Sequence, residues 1–171
     1  MAAAQSERYV ARPITMLIRQ ATPNDAEISC DILRRSIIDL CEADHHHSPE
    51  HLTEWLRNKT PENVHGWYSD PEKFCVVAEL NNEIVGVGSI NTKGEIGLLY
   101  VSPTARFRGV SKTMLISLEN WARSRQFDEI TLLSSVTARS FYEAAGYLEN
   151  GIPVRVFREA IAYPMKKAIS T

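Results

Sequence analysis

The sequence predicts an α+β fold, with a mixed, mostly antiparallel central sheet flanked by helices on both faces. Three observations carry that prediction. Ile28, Ile32, Leu33, Ile37 and Leu40 recur at helical spacing, as do Met114, Leu115, Leu118, Trp121 and Ala122. Between these runs the pattern changes to that of strands, over residues 74–79, 84–90 and 95–101, with turn residues separating them. The chain has 171 residues, 44% apolar and 23% charged, which suits one globular unit with a sizeable core.

The elements follow in order. Residues 18–21 read as a short strand. Thr22 reads as an N-cap, with Pro23 at the first helical position and Asp25 closing a T-x-x-D box. The helix beyond it carries the first apolar stripe. Ser48-Pro49 starts a second helix with Leu52, Trp55 and Leu56 on one face, and Thr60-Pro61 starts a short third one through Val64 and Trp67. The three strands then form an antiparallel meander, turning at Asn81-Asn82 and across residues 91–94. A long helix spans residues 109–125. A buried-type strand over 130–133 leads to a short helix over 138–145, where Gly146 supplies a left-handed terminus. Tyr147-Leu148 and residues 160–165 close the sheet, separated by a loop through Gly151 and Pro153. The polar start, residues 1–15, reads as a flexible arm, leaving residues 16–171 as a single domain.

Charge and cysteine usage exclude several classes. Nineteen basic residues against twenty-one acidic ones give a net charge of -2, so no dominant basic face awaits a nucleic acid or a membrane surface. Cys30, Cys41 and Cys75 are odd in number and lack a CxxC pair, unlike a disulfide framework or a zinc ribbon. No segment has the apolar length of a signal core or a membrane span, and a cytoplasmic location is expected. His45, His46 and His47 cannot all aim at one ion from a regular element, so no metal site is expected. They read as a polar loop between two helices.

The chemistry concentrates where the third meander strand gives way to the long helix. Arg106, Arg108, Gly109, Ser111 and Lys112 cluster at that helix start. Free N–H groups and the positive end of the helix dipole favour an anion there. Gly109 allows close backbone approach, and the basic side chains suit phosphate oxygens. A capped helix whose basic residues face water is the competing reading of the same residues. Neither GxxxxGK[ST] nor a GxGxxG after a strand is present.

The run Arg106-Phe107-Arg108-Gly109-Val110-Ser111 resembles the coenzyme motif Q/R-x-x-G-x-G/A of the GCN5-related N-acetyltransferase (GNAT) superfamily. Downstream, the run from Ser135 through Ala138, Phe141, Tyr142 and Glu143 to Gly146-Tyr147 resembles its N-x-x-A-x-x-F-Y-E-x-x-G-F/Y segment. The similarity covers about residues 16–167. Ser111 stands for the final Gly or Ala, Phe107 for a frequent Gly and Ser135 for Asn, so Phe107 is expected to point away from the ligand.

The resemblance implies an acetyl-CoA-dependent N-acetyltransferase in which an amine attacks the thioester directly. It implies that acetyl-CoA contacts Arg106, Phe107, Arg108, Gly109, Val110, Ser111 and Lys112 through its pyrophosphate. The pantetheine would lie along Leu99, Tyr100 and Val101, with Ser135 nearby. Tyr142 matches the tyrosine that protonates the leaving thiolate, and Glu95 stands where some members carry a base, with a water relay as the alternative. The expected acceptor is a small-molecule amine, with a peptide amine as the alternative. Asp44, His45, His46, His47, Trp55 and Trp67-Tyr68 are its candidate contacts. A homodimer, and a catalytically silent coenzyme-binding or interaction module on the same fold, both stay open.

Overall fold

The first corner of the fold is set by Asp25. A computed structural model describes residues 13–169, so the expected arm lies outside the described residues as far as residue 12. Strand β1 (Met16–Gln20) ends at Thr22, and a 3-10 turn (Pro23–Asp25) leads into α1 (Ala26–Leu40). The Asp25 carboxylate accepts the Thr22 N–H at 2.8 Å, the reach-back expected of the T-x-x-D pattern. It also accepts both Arg19 guanidinium N–H groups, at 2.8 and 2.9 Å, and Arg19 Nε–H donates to Glu79. That long-range half of the cluster has no local sequence signal.

Two further helices begin where Ser48-Pro49 and Thr60-Pro61 predict: α3 (Pro49–Leu56) and α4 (Pro61–Tyr68). The residues between α1 and α3, read from sequence as a polar loop, instead contain a single helical turn, α2 (Glu42–His45). The meander is β2 (Lys73–Leu80), β3 (Glu83–Asn91) and β4 (Glu95–Val101), all antiparallel, with β1 added beside β2. Helix α5 (Val110–Ser124) crosses over to β5 (Glu129–Ser134), which lies parallel to β4. Then follow α6 (Arg139–Ala144), β6 (Leu148–Glu149), β7 (Val154–Val156) and β8 (Ala160–Ala168). Strand β7 falls within the stretch expected to be a loop. It pairs with β8 through Val154↔Ala162. The main path runs β1-β2-β3-β4-β5-β8-β6.

Alternation along the strands feeds two cores. On one face Val76, Ile90 and Ile96 pack against Leu115, Leu118 and Ala122 of α5, together with Tyr142 and Tyr147. On the other, Val87, Leu98 and Tyr100 meet Cys30 and Leu33 of α1 and Val64 of α4. The α+β architecture with helices on both faces is therefore as predicted. Gly146 takes φ 90 after α6, as its terminating role requires. No helix of the described residues is long and apolar enough to cross a membrane.

Arg19, opposed in part by burial and reinforced by Thr22, holds the Asp25 carboxyl down to about 2. The folded value lies below the unfolded one, so the cluster's stability is present above about pH 4 and lost as pH falls towards 2. Asp25→Asn is expected to cost about 2 kcal/mol at neutral pH, with the difference from the parent shrinking between pH 4 and 2. Urea unfolding of both proteins across that range checks it. A pH-independent difference would contradict the assignment.

Candidate acyl-transfer site

Strands β4 and β5 pair over only two positions, Glu95↔Thr131 and Ile96↔Leu132. The register between β3 and β4 shifts at the same place: Ile90 faces Ile96, but Ser89 faces Leu98, leaving Gly97 as an extra residue. This bulge turns the rest of β4 away from β5. From Gly97 onward one edge of β4 therefore has no strand partner, although β3 still covers the other. A cavity of about 1020 Å³ lies along that edge and continues to the start of α5. A glycine inside a strand pattern, here Gly97, is the sequence signal for such a bulge.

The start of α5 is built to hold an anion. Gly109 caps the helix with φ 78 and brings no side chain to bond the first-turn N–H groups. That turn contains no acidic residue. A Cβ on Gly109 would meet nothing within 4 Å, so the approach to the backbone is open. Phe107 also takes a left-handed conformation, φ 60, which explains why glycine is common at its position in the motif it resembles. Its ring is 93% exposed and stacks under the Arg106 guanidinium at 4.6 Å. Arg106, Phe107, Gly109, Val110, Ser111 and Lys112 all line the cavity, whereas Arg108 is exposed on the loop and does not. The Val110 side chain is in the core with Met114, so this residue offers the cavity its backbone.

The remaining predicted residues converge on the same space. Leu99 and Val101 pack towards α5, Tyr100 packs towards Trp55 and Cys41, and all three line the cavity. Tyr142 is 6% exposed, held edge-on between Phe141 and Tyr147, and its hydroxyl bonds to no described residue. Burial, then nearby Tyr100, pushes its phenol above the usual range, so it stays a neutral donor. Glu95 lines the cavity at the opposite end of β4 and accepts a 2.8 Å bond from the Asn91 amide. The Ser135 hydroxyl accepts the Ala138 N–H at 3.1 Å, so the serine shapes the turn before α6 and keeps its own hydrogen to donate. Cys41 is also on the wall. Burial, then Asp44, pushes its thiol up to about 12, which removes the thiolate a covalent relay would need.

Most expected acceptor contacts are corrected. The Asp44 carboxylate accepts Val136 N–H at 2.7 Å, Thr137 N–H at 3.2 Å and the Thr137 hydroxyl at 2.5 Å. It pins the loop before α6 while also lining the cavity. His45 is fully buried: Nδ1 accepts the His47 N–H at 3.0 Å, which leaves Nε2 to donate to the Ile38 carbonyl. His46 and His47 are exposed, and His47 pairs with Glu42. Among the described residues no cluster could hold a metal. Trp67 and Tyr68 pack in the α1–α4 core and do not reach the cavity. Asp44 and Trp55 do line the cavity as expected, with Trp55 stacked at 5.3 Å on Phe157 from the β7–β8 turn.

One wall residue had no sequence signal. Lys59, just beyond α3, is 6% exposed and lines the cavity. Its ammonium donates to Asn58 Oδ1 at 2.8 Å and lies 5.5 Å from the Phe157 ring centre. Burial pushes it down to about 8.

A split parallel pair beside an uncapped, basic helix start defines an acyl-CoA-handling fold, and the comparisons agree. The acetyltransferase (GNAT) domain family matches residues 43–169, and the chain belongs to that family. Among solved structures it is similar to a GCN5-related N-acetyltransferase from Rhodopseudomonas palustris, with TM-score 0.81 and 25% identity over 90% of this chain and 96% of that one. The PaiA N-acetyltransferase from Thermoplasma acidophilum, solved with coenzyme A, gives TM-score 0.76 and 18% identity over 90% and 99%. YncA from Salmonella typhimurium, solved with acetyl-CoA, gives 0.70 and 18% over 91% and 94%. A search of curated proteins finds no match.

The Lys59 penalty has a testable sign. Its folded value lies below the unfolded one, so the cost is full below about pH 8 and disappears as pH rises towards 10.5. Lys59→Met should stabilise the unliganded protein by roughly 1–3 kcal/mol at neutral pH. Urea midpoints of variant and parent should then converge between pH 8 and 10, because the thiols and phenols common to both cancel. A gap that stays constant would locate the effect elsewhere.

Proposed function

We propose that this protein transfers the acetyl group of acetyl-CoA to a primary amine of a small molecule, without a covalent enzyme intermediate, and that residues 16–171 form the domain that does so. The observation that carries the reading is the continuity of the β4–β5 opening with the start of α5 in one cavity. The open edge of β4 offers main-chain donors and acceptors to the amide-bearing pantetheine arm, as an added strand would. The N–H groups from Phe107 to Lys112, with Arg106 and Lys112, suit the pyrophosphate.

In the reaction the amine nitrogen attacks the thioester carbon, a C–N bond forms and the C–S bond breaks. The sulfur leaves with the electron pair and takes a proton from the Tyr142 phenol. The proton lost by the amine passes to Glu95, directly or through water. Holding both reactants in one cavity supplies the larger share of the acceleration, since no step needs a group on the enzyme to become acylated. The raised, neutral phenol of Tyr142 and the high-lying thiol of Cys41 both favour direct attack.

Gly109→Val tests the coenzyme site. A β-branched residue disfavours φ 78, and its side chain would occupy the open space before the helix. Calorimetry should show acetyl-CoA binding weakened at least about a hundredfold while the protein stays folded, about 3 kcal/mol of binding energy. Unchanged affinity in a folded variant would overturn the site.

The two proton roles separate by pH. Tyr142→Phe should lower kcat by roughly tenfold or more across the whole range, with acetyl-CoA affinity within about twofold, because the phenol stays neutral throughout. Glu95→Gln should lower the rate most at neutral pH and recover as the amine deprotonates. A Glu95→Gln profile parallel to the parent's would assign proton removal to water, and unaltered turnover in Tyr142→Phe would remove its role as the acid.

A further inference from the structure

The buried charged side chains among the described residues are Asp25, Asp44, Lys59 and Glu119. Three are answered in full. Asp25 has Arg19, and Glu119 has Lys167 at 2.9 Å, Arg123 and the Tyr147 hydroxyl. Asp44 has two backbone N–H groups and a hydroxyl. Neither Asp44 nor Lys59 has an opposite charge within ion-pair distance among the described residues, but Asp44 is satisfied by its three donors and Lys59 is not. Its ammonium has one neutral partner, Asn58, and two N–H donors left over. A buried ammonium without a counter-charge is costly enough to be rare in a folded core. This one also sits on the wall of the cavity beside β4.

The position is held firmly. The Lys59 carbonyl accepts from Arg34 Nη1 at 3.1 Å and from the Cys30 thiol at 3.2 Å, and the same arginine nitrogen bonds the Leu56 carbonyl. Backbone movement that would carry the ammonium out to water must break these bonds. Beside it, the stacked Trp55 and Phe157 form an apolar wall. The hairpin turn that delivers Phe157 adopts left-handed backbone at both Phe157 and Arg158.

We propose that the acceptor is an amine with an apolar stem and a carboxylate, an amino-acid-like molecule, and that Lys59 binds the carboxylate. This rests on the reading of the cavity as an acetyl-transfer site. A single ammonium with two spare donors matches one carboxylate, with one donor for each oxygen, whereas a phosphate dianion would bring more charge than Lys59 can balance. The apolar stem would lie against Trp55 and Phe157. Lys59 is thus a specificity-determining residue that touches the part of the substrate away from the reacting nitrogen. The charge that destabilises the empty protein becomes a binding contribution once the carboxylate arrives.

The test uses product-like probes, in which the amine is already acetylated and its ionisation plays no part. N-acetylphenylalanine, N-acetylmethionine and their uncharged carboxamides are titrated calorimetrically into the full chain saturated with coenzyme A. In the parent at least one acid should bind tenfold or more tightly than its amide. In Lys59→Met, and in Lys59→Gln as a second variant, that preference should fall to within twofold while coenzyme A affinity is unchanged. Equal binding of acids and amides by the parent, no binding of any acid, or a preference that survives in both variants would overturn the proposal. Failure of the parent to bind coenzyme A is a separate result. It would overturn the acetyl-transfer reading, and the proposal with it.

Discussion

Every buried strand edge must find partners for its backbone N–H and C=O groups, and β4 does so on only one side. Along β3 its ladder is complete to Val101, but its pairing with β5 ends after Ile96. The unmet hydrogen-bonding capacity from Gly97 onward is the feature on which the rest of the site depends. A bulge at Gly97 creates it, the parallel crossover through α5 separates the two strands, and the space between them is left for something shaped like a strand. A pantetheine arm, with its amides spaced along a flexible chain, has that shape.

The surroundings keep the opening in order. At one end the α5 start presents free N–H groups because its cap is a glycine in a left-handed conformation and its first turn has no acid. At the other, Asp44 ties α2 to the loop before α6 with three hydrogen bonds and so sets where Tyr142 enters the cavity. Buried carboxylates such as Asp25, Asp44 and Glu119 are spent on architecture. Lys59 is not, and it faces the cavity with donors to spare. That contrast between satisfied and unsatisfied charge sets Lys59 apart from the residues that hold the fold.

The sequence made the architecture legible where local chemistry decides it. Helical spacing located α1 and α5, Ser48-Pro49 and Thr60-Pro61 located α3 and α4, and the turns at Asn81-Asn82 and residues 91–94 located the meander. The loop around Gly109 was legible for the same reason, since a glycine and clustered basic residues at a helix start are neighbours in the chain. The opposite wall of the cavity was not. Asp44 meets Val136 and Thr137 across more than ninety positions, so nothing near it in sequence marks it as a clamp. His45 carries no local sign that both ring nitrogens are satisfied by backbone. Trp55 and Trp67 look alike on their helices, yet only Trp55 turns towards the cavity. Lys59 reads as an ordinary surface lysine until its burial is known. Short β7 went unseen because three residues cannot display a strand period, and its tip supplies Phe157.

The most direct test of this account is a crystal structure of the protein with coenzyme A bound. The account predicts the pyrophosphate on the backbone N–H groups between Phe107 and Lys112. It predicts the pantetheine amides bonded to the main chain of β4 beyond Gly97, and the sulfur near the Tyr142 hydroxyl. A structure in which coenzyme A lies elsewhere, or in which β4 and β5 close together and leave no room for the pantetheine, would contradict it.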